Sequence, residues 1–268
     1  MNAVITGAAG GLGRAFAVEC AKRGYNLILT DISKEGLKTL KDGLLRRYDI
    51  NVIYFTCDLT DEFQTDKFKE YLSIRNIYID ILFNVAGIDH EGAFATRSLE
   101  QINSIVRVNI EAMLRITYMM MDFKRKNEPF RIINVSSLAS LFPMPLKAVY
   151  AASKRFILDF SYALNEELNE KNIYVLSLCP GGLATTKNAI DGMAVQGFFG
   201  NATSNRLEVV ARRTIDKSLR KRRVYIPGIL NRILSIAGRL LPVSVVVRVI
   251  HSRWKRALYS RIHLRETL

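Results

Sequence analysis

The chain has 268 residues, 49% of them hydrophobic, with 39 basic and 25 acidic side chains. That length accommodates one α/β domain with a sizeable core, and the lack of low-complexity tracts or internal repeats excludes a disordered or solenoid protein. No apolar run reaches about 18 residues and the opening "NAVITG" reads as a strand, so neither a membrane-spanning helix nor a secretory signal is expected, and the reading is cytoplasmic.

The excess charge is localised. Residues 1–205 carry 23 basic and 22 acidic side chains, whereas 206–268 carry 16 and 3.

Short apolar runs suited to strands fall at 3–6 (AVIT), 26–30 (NLILT), 51–57, 79–85, 131–137, 173–179 and 224–227 (VYIP). They lack apolar/polar alternation, as parallel strands buried on both faces do. Helical stretches lie between them at 12–24, 33–47, 61–75, 99–126, 148–171 and 206–220. The first ends on Lys22, Arg23 and Gly24, a helix-stop pattern. This alternation predicts a doubly wound parallel sheet of about seven strands with helices on both faces, in one domain over 1–228.

Cys20, Cys57 and Cys179 sit apart in apolar runs, and His90, His251 and His263 are isolated. The cysteines read as small buried hydrophobes; neither a metal site nor a Ser-His-Asp triad is expected.

"TGAAGGLG" (6–13) follows the first strand and opens the first helix. There Gly7 allows a sharp turn, and Gly11 and Gly13, with Leu12 between them, let the backbone approach a pyrophosphate at the helix N-terminus. At the end of the second strand Asp31 can accept the ribose hydroxyls of NAD and repel the 2′-phosphate of NADP; the alternative is an N-cap of the second helix, a role Ser33 can also fill. Gly10 rather than a basic residue precedes Gly11, and Ile32 follows Asp31, which also favours NAD. Asp58, in "CDLT" with Leu59, suits either the adenine amine or a helix cap.

"VYAASK" (149–154) places Tyr150 and Lys154 four residues apart, on one helix face. One such pair is ordinary by chance in a chain with this many tyrosines and lysines. Together with the glycine motif, "NVAG" (84–87), "VNI" (108–110), the serines at 136 and 137, and "PGGLAT" (180–185), all in order, the chain resembles a short-chain dehydrogenase/reductase over residues 2 to about 186. It departs at Val85, where that family usually has a second asparagine. The resemblance implies a Rossmann-type fold and a catalytic set of Asn109, Ser137, Tyr150 and Lys154. It assigns the substrate-orienting role to Ser137, thirteen residues before the tyrosine, rather than to Ser136. Asn109 would kink its helix and hold a water in a proton relay to Lys154. Asn84, Ala86, Gly87, Tyr150, Lys154, Pro180, Gly181 and Thr185 would complete the cofactor site. Charge from Lys154 and from the nicotinamide would lower the pKa of Tyr150 from about 10. The group could then take a proton from an alcohol or return one to a carbonyl.

Residues 183–207, rich in Gly, Asn, Ser and Thr, read as a lid offering Met193, Phe198 and Phe199, or alternatively as a plain surface connection. Leu138, Phe142 and Met144 add apolar contact near Ser137. The substrate expected is a hydrophobic secondary alcohol or ketone, such as a steroid, bile acid or long-chain acyl compound.

Residues 229–268 form a basic amphipathic extension. Leu230, Ile233, Leu234, Ala237, Leu240 and Leu241 share a stripe, Pro242 breaks it, and Val246, Ile250, Trp254 and Leu258 continue beside Arg253, Lys255, Arg256 and Arg261. Contact with an anionic membrane, packing on the protein or a second subunit, and nucleic-acid binding all fit such a segment, the last least since no binding module is visible. The function expected is NAD(P)-dependent alcohol/ketone oxidoreduction in a homodimer or homotetramer. The alternative is a non-catalytic dinucleotide-binding scaffold at a membrane surface.

Overall fold

A computed structural model describes residues 1–183 and 204–252. Seven parallel strands form one sheet in the order β3-β2-β1-β4-β5-β6-β7. They are β1 (Asn2–Thr6), β2 (Asn26–Asp31), β3 (Val52–Thr56), β4 (Ile81–Asn84), β5 (Phe130–Val135), β6 (Ile173–Leu178) and β7 (Val224–Tyr225). The missing alternation in sequence has its cause here. Along β1, Ala3 and Ile5 enter one core and Val4 the other, so both faces are dry. Helices α1 (Gly11–Lys22), α2 (Lys34–Leu45) and α7 (Leu207–Leu219) cover one face. On the other lie α3 (Glu62–Ile74), α5 (Met113–Met121) and α6 (Ala148–Leu168). The direction of sheet growth reverses between β1 and β4, which opens a crevice at their carboxyl ends.

Local chemistry sets the helix ends. Gly24 adopts φ +71° just past α1, as a helix stop requires. Ser33 caps α2 by accepting from the Gly36 amide, and Asp61 caps α3 by accepting from Gln64. Both capping alternatives are thereby resolved, since neither Asp31 nor Asp58 is a helix cap. β7 stops at Tyr225, ahead of Pro227, which has no N–H to give a ladder.

The expected helix over 99–126 is interrupted. α4 (Leu99–Val106) passes into a π-helical turn, Arg107–Ala112, before α5 begins, and the helix ends at Met121. The cause is Asn109, whose side chain bonds backwards to both backbone groups of Ile88 instead of leaving the helix regular.

The C-terminal helix α8 (Ile229–Leu240) ends before Pro242, and helix resumes at 243–252. Its orientation shows which way the expected stripe turns. Asn231 and Ser235 are buried while Ile229, Ile233, Ile236 and Leu240 are exposed; Leu230 and Leu234 are only half-buried. Gly238 makes the inward packing possible, because a Cβ there would lie 1.8 Å from the Phe142 ring. Thr185, Met193, Phe198, Phe199, Trp254, Leu258, Arg253, Lys255, Arg256 and Arg261 lie outside the described residues, as does most of the expected lid.

Candidate active site

The crevice between β1 and β4 is built by absent side chains. A Cβ on Gly7, which adopts φ +62°, would lie 2.8 Å from the Ala86 backbone, and one on Gly13 2.2 Å from the Gly7 carbonyl oxygen. Thr6 ties the two strand ends together, its hydroxyl accepting from the amides of Val85 (3.0 Å) and Ala86 (3.2 Å). α1 starts at Gly11 with neither an acidic first turn nor a side-chain cap. The amides of Gly11, Leu12 and Gly13 therefore have no helical acceptor and face the crevice with the positive end of the helix dipole. Asp31 is half-buried and accepts from the amides of Ala9 (3.0 Å) and Ser33 (2.9 Å), which fixes its carboxylate at the loop. Its remaining lone pairs suit ribose hydroxyls. Ile32 beside it is 73% exposed, an apolar platform for a base. These residues fit a dinucleotide.

Two expected cofactor contacts are engaged elsewhere. Asn84 is buried and donates to Thr117 and Asn134, each at 2.8 Å, so only its backbone borders the crevice. Asp58 is exposed and its carboxylate accepts from the Thr60 amide and hydroxyl. Leu59 is buried in the core behind it. Pro180 is buried at the end of β6, where its carbonyl accepts from Leu138 at 2.7 Å and holds the Ser137 loop against Gly181.

The expected catalytic set converges at the carboxyl end of β5. Ser137 lies beside the Tyr150 phenol and favours its ionised form. Ser136, just past β5, points the other way and donates to the Lys154 carbonyl at 2.7 Å, which leaves Ser137 as the serine beside Tyr150. Lys154 is buried and donates to the Val135 carbonyl at 3.0 Å. Asn109 donates to Ser153 as well as to Ile88, each at 3.0 Å. Gly87 admits both groups: a Cβ there would lie 3.1 Å from Asn109 Oδ1 and 3.2 Å from Lys154 Nζ.

The electrostatics differ from expectation. Burial lifts the Tyr150 phenol above its ordinary pKa, and the Asp89 charge adds to the lift; the Ser137 hydroxyl and the Lys147 ammonium oppose it. The lysine opposing this lift is thus Lys147, 5.6 Å from the ring centroid, which bonds Asp89 and lies 3.4 Å from Glu91. Lys154 is pushed down to about 8 by burial, with Asp89 working in the opposite direction. Asp89, Lys147 and Ser153 belong to no motif in the sequence, because their roles arise from a loop and a helix start that meet only in three dimensions. The cysteines are free and buried, and burial pushes their thiols up, Cys57 to about 12.

Beside Tyr150 opens a cavity of about 300 Å³, lined by Phe94, Ile102, Ile105, Leu146 and Val149 and edged by Arg97. The Arg97 guanidinium lies across Gly92, where a Cβ would come within 1.9 Å of it, and its Nε is buried without a hydrogen-bond partner.

Comparison with known proteins identifies a family. The short chain dehydrogenase family model matches residues 1–192. The chain is 32% identical over 185 residues to 17-beta-hydroxysteroid dehydrogenase type 3 of Homo sapiens, covering 68% of this chain and 59% of that protein. It is 28% identical over 211 residues to the very-long-chain 3-oxoacyl-CoA reductase of Rattus norvegicus, covering 75% and 66%. The chain thus spans about three fifths to two thirds of these relatives. A short chain dehydrogenase/reductase from Burkholderia phymatum, solved in complex with NAD, superposes with a TM-score of 0.77 at 22% identity, covering 89% of this chain and 92% of that one. Family match, strand order and the assembled Asn109, Ser137, Tyr150 and Lys154 lead to one conclusion: the chain belongs to the short chain dehydrogenase family.

Proposed function

We propose that this protein interconverts a secondary alcohol and a ketone by hydride transfer, with NAD in preference to NADP. The observation that carries the reading is the meeting of Ser137 and Tyr150 at the carboxyl end of β5, with Lys154 buried behind them and bonded to the Val135 carbonyl. Bound nicotinamide dinucleotide supplies the hydride chemistry. In oxidation, Ser137 holds the substrate oxygen and Tyr150 removes its proton; in reduction, Tyr150 returns the proton to the carbonyl oxygen. Lys154 holds positive charge beneath this step. Asn109 fixes the loop after β4 through Ile88, and its backbone in the π turn is the place for a relay water. The preference for NAD rests on Asp31 and Ile32. Arg14, whose Nε donates to the Ala9 carbonyl at 2.7 Å, is the cation that substituting Asp31 would leave to attract a 2′-phosphate.

The substrate reading rests on the apolar cavity and the names of the relatives. Arg97 narrows it: within the hydrophobic class, a compound with an acidic group at the end remote from the reacting carbon meets the guanidinium on Gly92. Exposed Tyr118 on α5, with Phe156 and Tyr162 on α6, supports a dimer paired through those helices.

The test is NAD⁺ reduction with steroids, bile acids and long-chain hydroxy acids, each acid beside its methyl ester, for the parent and for Tyr150→Phe. Turnover of a hydrophobic class by the parent, with a loss of 10²–10⁴-fold in Tyr150→Phe and unchanged NADH binding, is expected. Equal turnover by Tyr150→Phe would overturn the mechanism. Faster turnover of a small polar hydroxy acid would overturn the substrate class, and equal use of acid and ester would remove Arg97 from it.

A further inference from the structure

We infer that α8 and the basic cavity beside it form a docking face for an anionic phospholipid surface. α8 is folded with its polar side inward. Asn231 and Ser235 are 1% and 5% exposed, whereas Ile229, Ile233, Ile236 and Leu240, at i, i+4, i+7 and i+11, are 77%, 56%, 60% and 80% exposed. Val243, Val245 and Val249 extend the exposed apolar surface into the following helical stretch. A row of large aliphatics on the outside of a helix whose inside is polar has nothing to gain from water.

Charge selects the occupant. A cavity of about 220 Å³ next to α8 is lined by Arg213, Lys217, Arg220 and Arg232. Its one acid, Asp216, is held by Arg23 at 2.8 Å, and none of the four cations makes an ion pair among the described residues. From 217 to 252 the chain contains no Asp or Glu at all. A second copy would bring the same uncompensated cations to its own face. An anionic bilayer offers phosphate to the cavity and hydrocarbon to the stripe. At about 18 Å for 12 residues, α8 is too short to span and lies in the interface.

The location has a consequence for access. α8 rests on Phe142, in the loop that carries Ser137, so the docked face borders the substrate side of the molecule. This inference goes beyond the catalytic reading and does not depend on it, because binding is measured without turnover.

The experiment is flotation of the full chain with vesicles of phosphatidylcholine alone or with 30% phosphatidylglycerol added, beside size-exclusion chromatography. The parent should float with the anionic vesicles and remain in solution with the neutral ones. The double variant Ile233→Glu/Ile236→Glu should lose at least tenfold in partitioning. Arg213→Gln and Lys217→Gln should each lose about fivefold, an effect that high salt reproduces. Dinucleotide binding and melting temperature are followed in each variant, and Ile233→Gln serves as a milder change should the double variant misfold. A parent that stays in solution with anionic vesicles overturns the proposal. So does equal flotation of well-folded stripe variants. A stripe variant that lowers the oligomeric state while leaving flotation unchanged overturns it too, and assigns the face to a second copy.

Discussion

Helices α1 and α8 are both twelve residues long, and they face opposite ways. α1 buries Leu12, Phe16, Ala17, Cys20 and Ala21 against the sheet, and α8 buries Asn231 and Ser235 while presenting isoleucines outward. Amphipathicity therefore fixes that a helix has two sides but not which side meets the protein. α1 connects two adjacent central strands and packs its apolar side onto the sheet beside α2 and α7. α8 follows the short last strand, beyond the core, where the available surface is Phe142 and the loop around it, and Gly238 fits that surface better than an isoleucine does.

The largest expected break in this contrast is Phe16→Ala. The ring is fully buried, 4.7 Å from that of Phe83, and its loss should cost about 3–5 kcal/mol in urea denaturation. A cost under about 1 kcal/mol would mean that α1 is not the core helix described.

Lys154→Met sharpens the contrast between stability and chemistry. The unfolded chain keeps this proton up to an ordinary lysine pKa of 10.5, whereas the folded protein keeps it only to about 8. Between those values the unfolded state binds more protons, so stability rises with pH across the window. At pH 7 the buried charge costs about 3 kcal/mol. The variant should therefore melt higher at pH 7 although the Val135 carbonyl loses its donor, its advantage should vanish above about pH 10.5, and its turnover should be lost. A lower melting temperature at every pH would refute the electrostatic account.

Asp89→Asn should act more gently. It removes the charge that lifts Tyr150 and releases Lys147 to lower it, so the rising limb of the NAD⁺-reduction profile, where Tyr150 loses its proton, should move to lower pH. An unmoved profile would show that Asp89 only anchors its loop. Smallest of all should be Ile236→Ala in α8, within about 0.5 kcal/mol of the parent because the side chain is already in water. A loss of 2 kcal/mol or more would place that residue in a core.

Much of the site was legible because short-range rules bind it to the chain. Tyr150 and Lys154 share a helix face at i, i+4, and Gly7, Gly11 and Gly13 mark a turn into a helix, so both features survive in one dimension. The Ser137 assignment came from the resemblance and its distance to Tyr150, and in three dimensions Ser136 turns away toward the Lys154 carbonyl. Asn84 and Asp58 were less legible, because their partners Thr117, Asn134 and Thr60 compete locally with a cofactor and no motif shows that competition. The stripe on α8 was visible as periodicity, but not the side it turns to the protein.

By itself the sequence determined the alternation of strand and helix, the glycine crevice, the Tyr150–Lys154 spacing and the concentration of positive charge after residue 205, since each depends on neighbours within about a turn or a strand. Only the tertiary structure decided that Asp89 and Lys147 meet at Tyr150, that Asn109 bends its helix back to Ile88, and that α8 turns its apolar side outward. Those outcomes depend on which surfaces remain uncovered once the sheet has closed, and no local pattern encodes that.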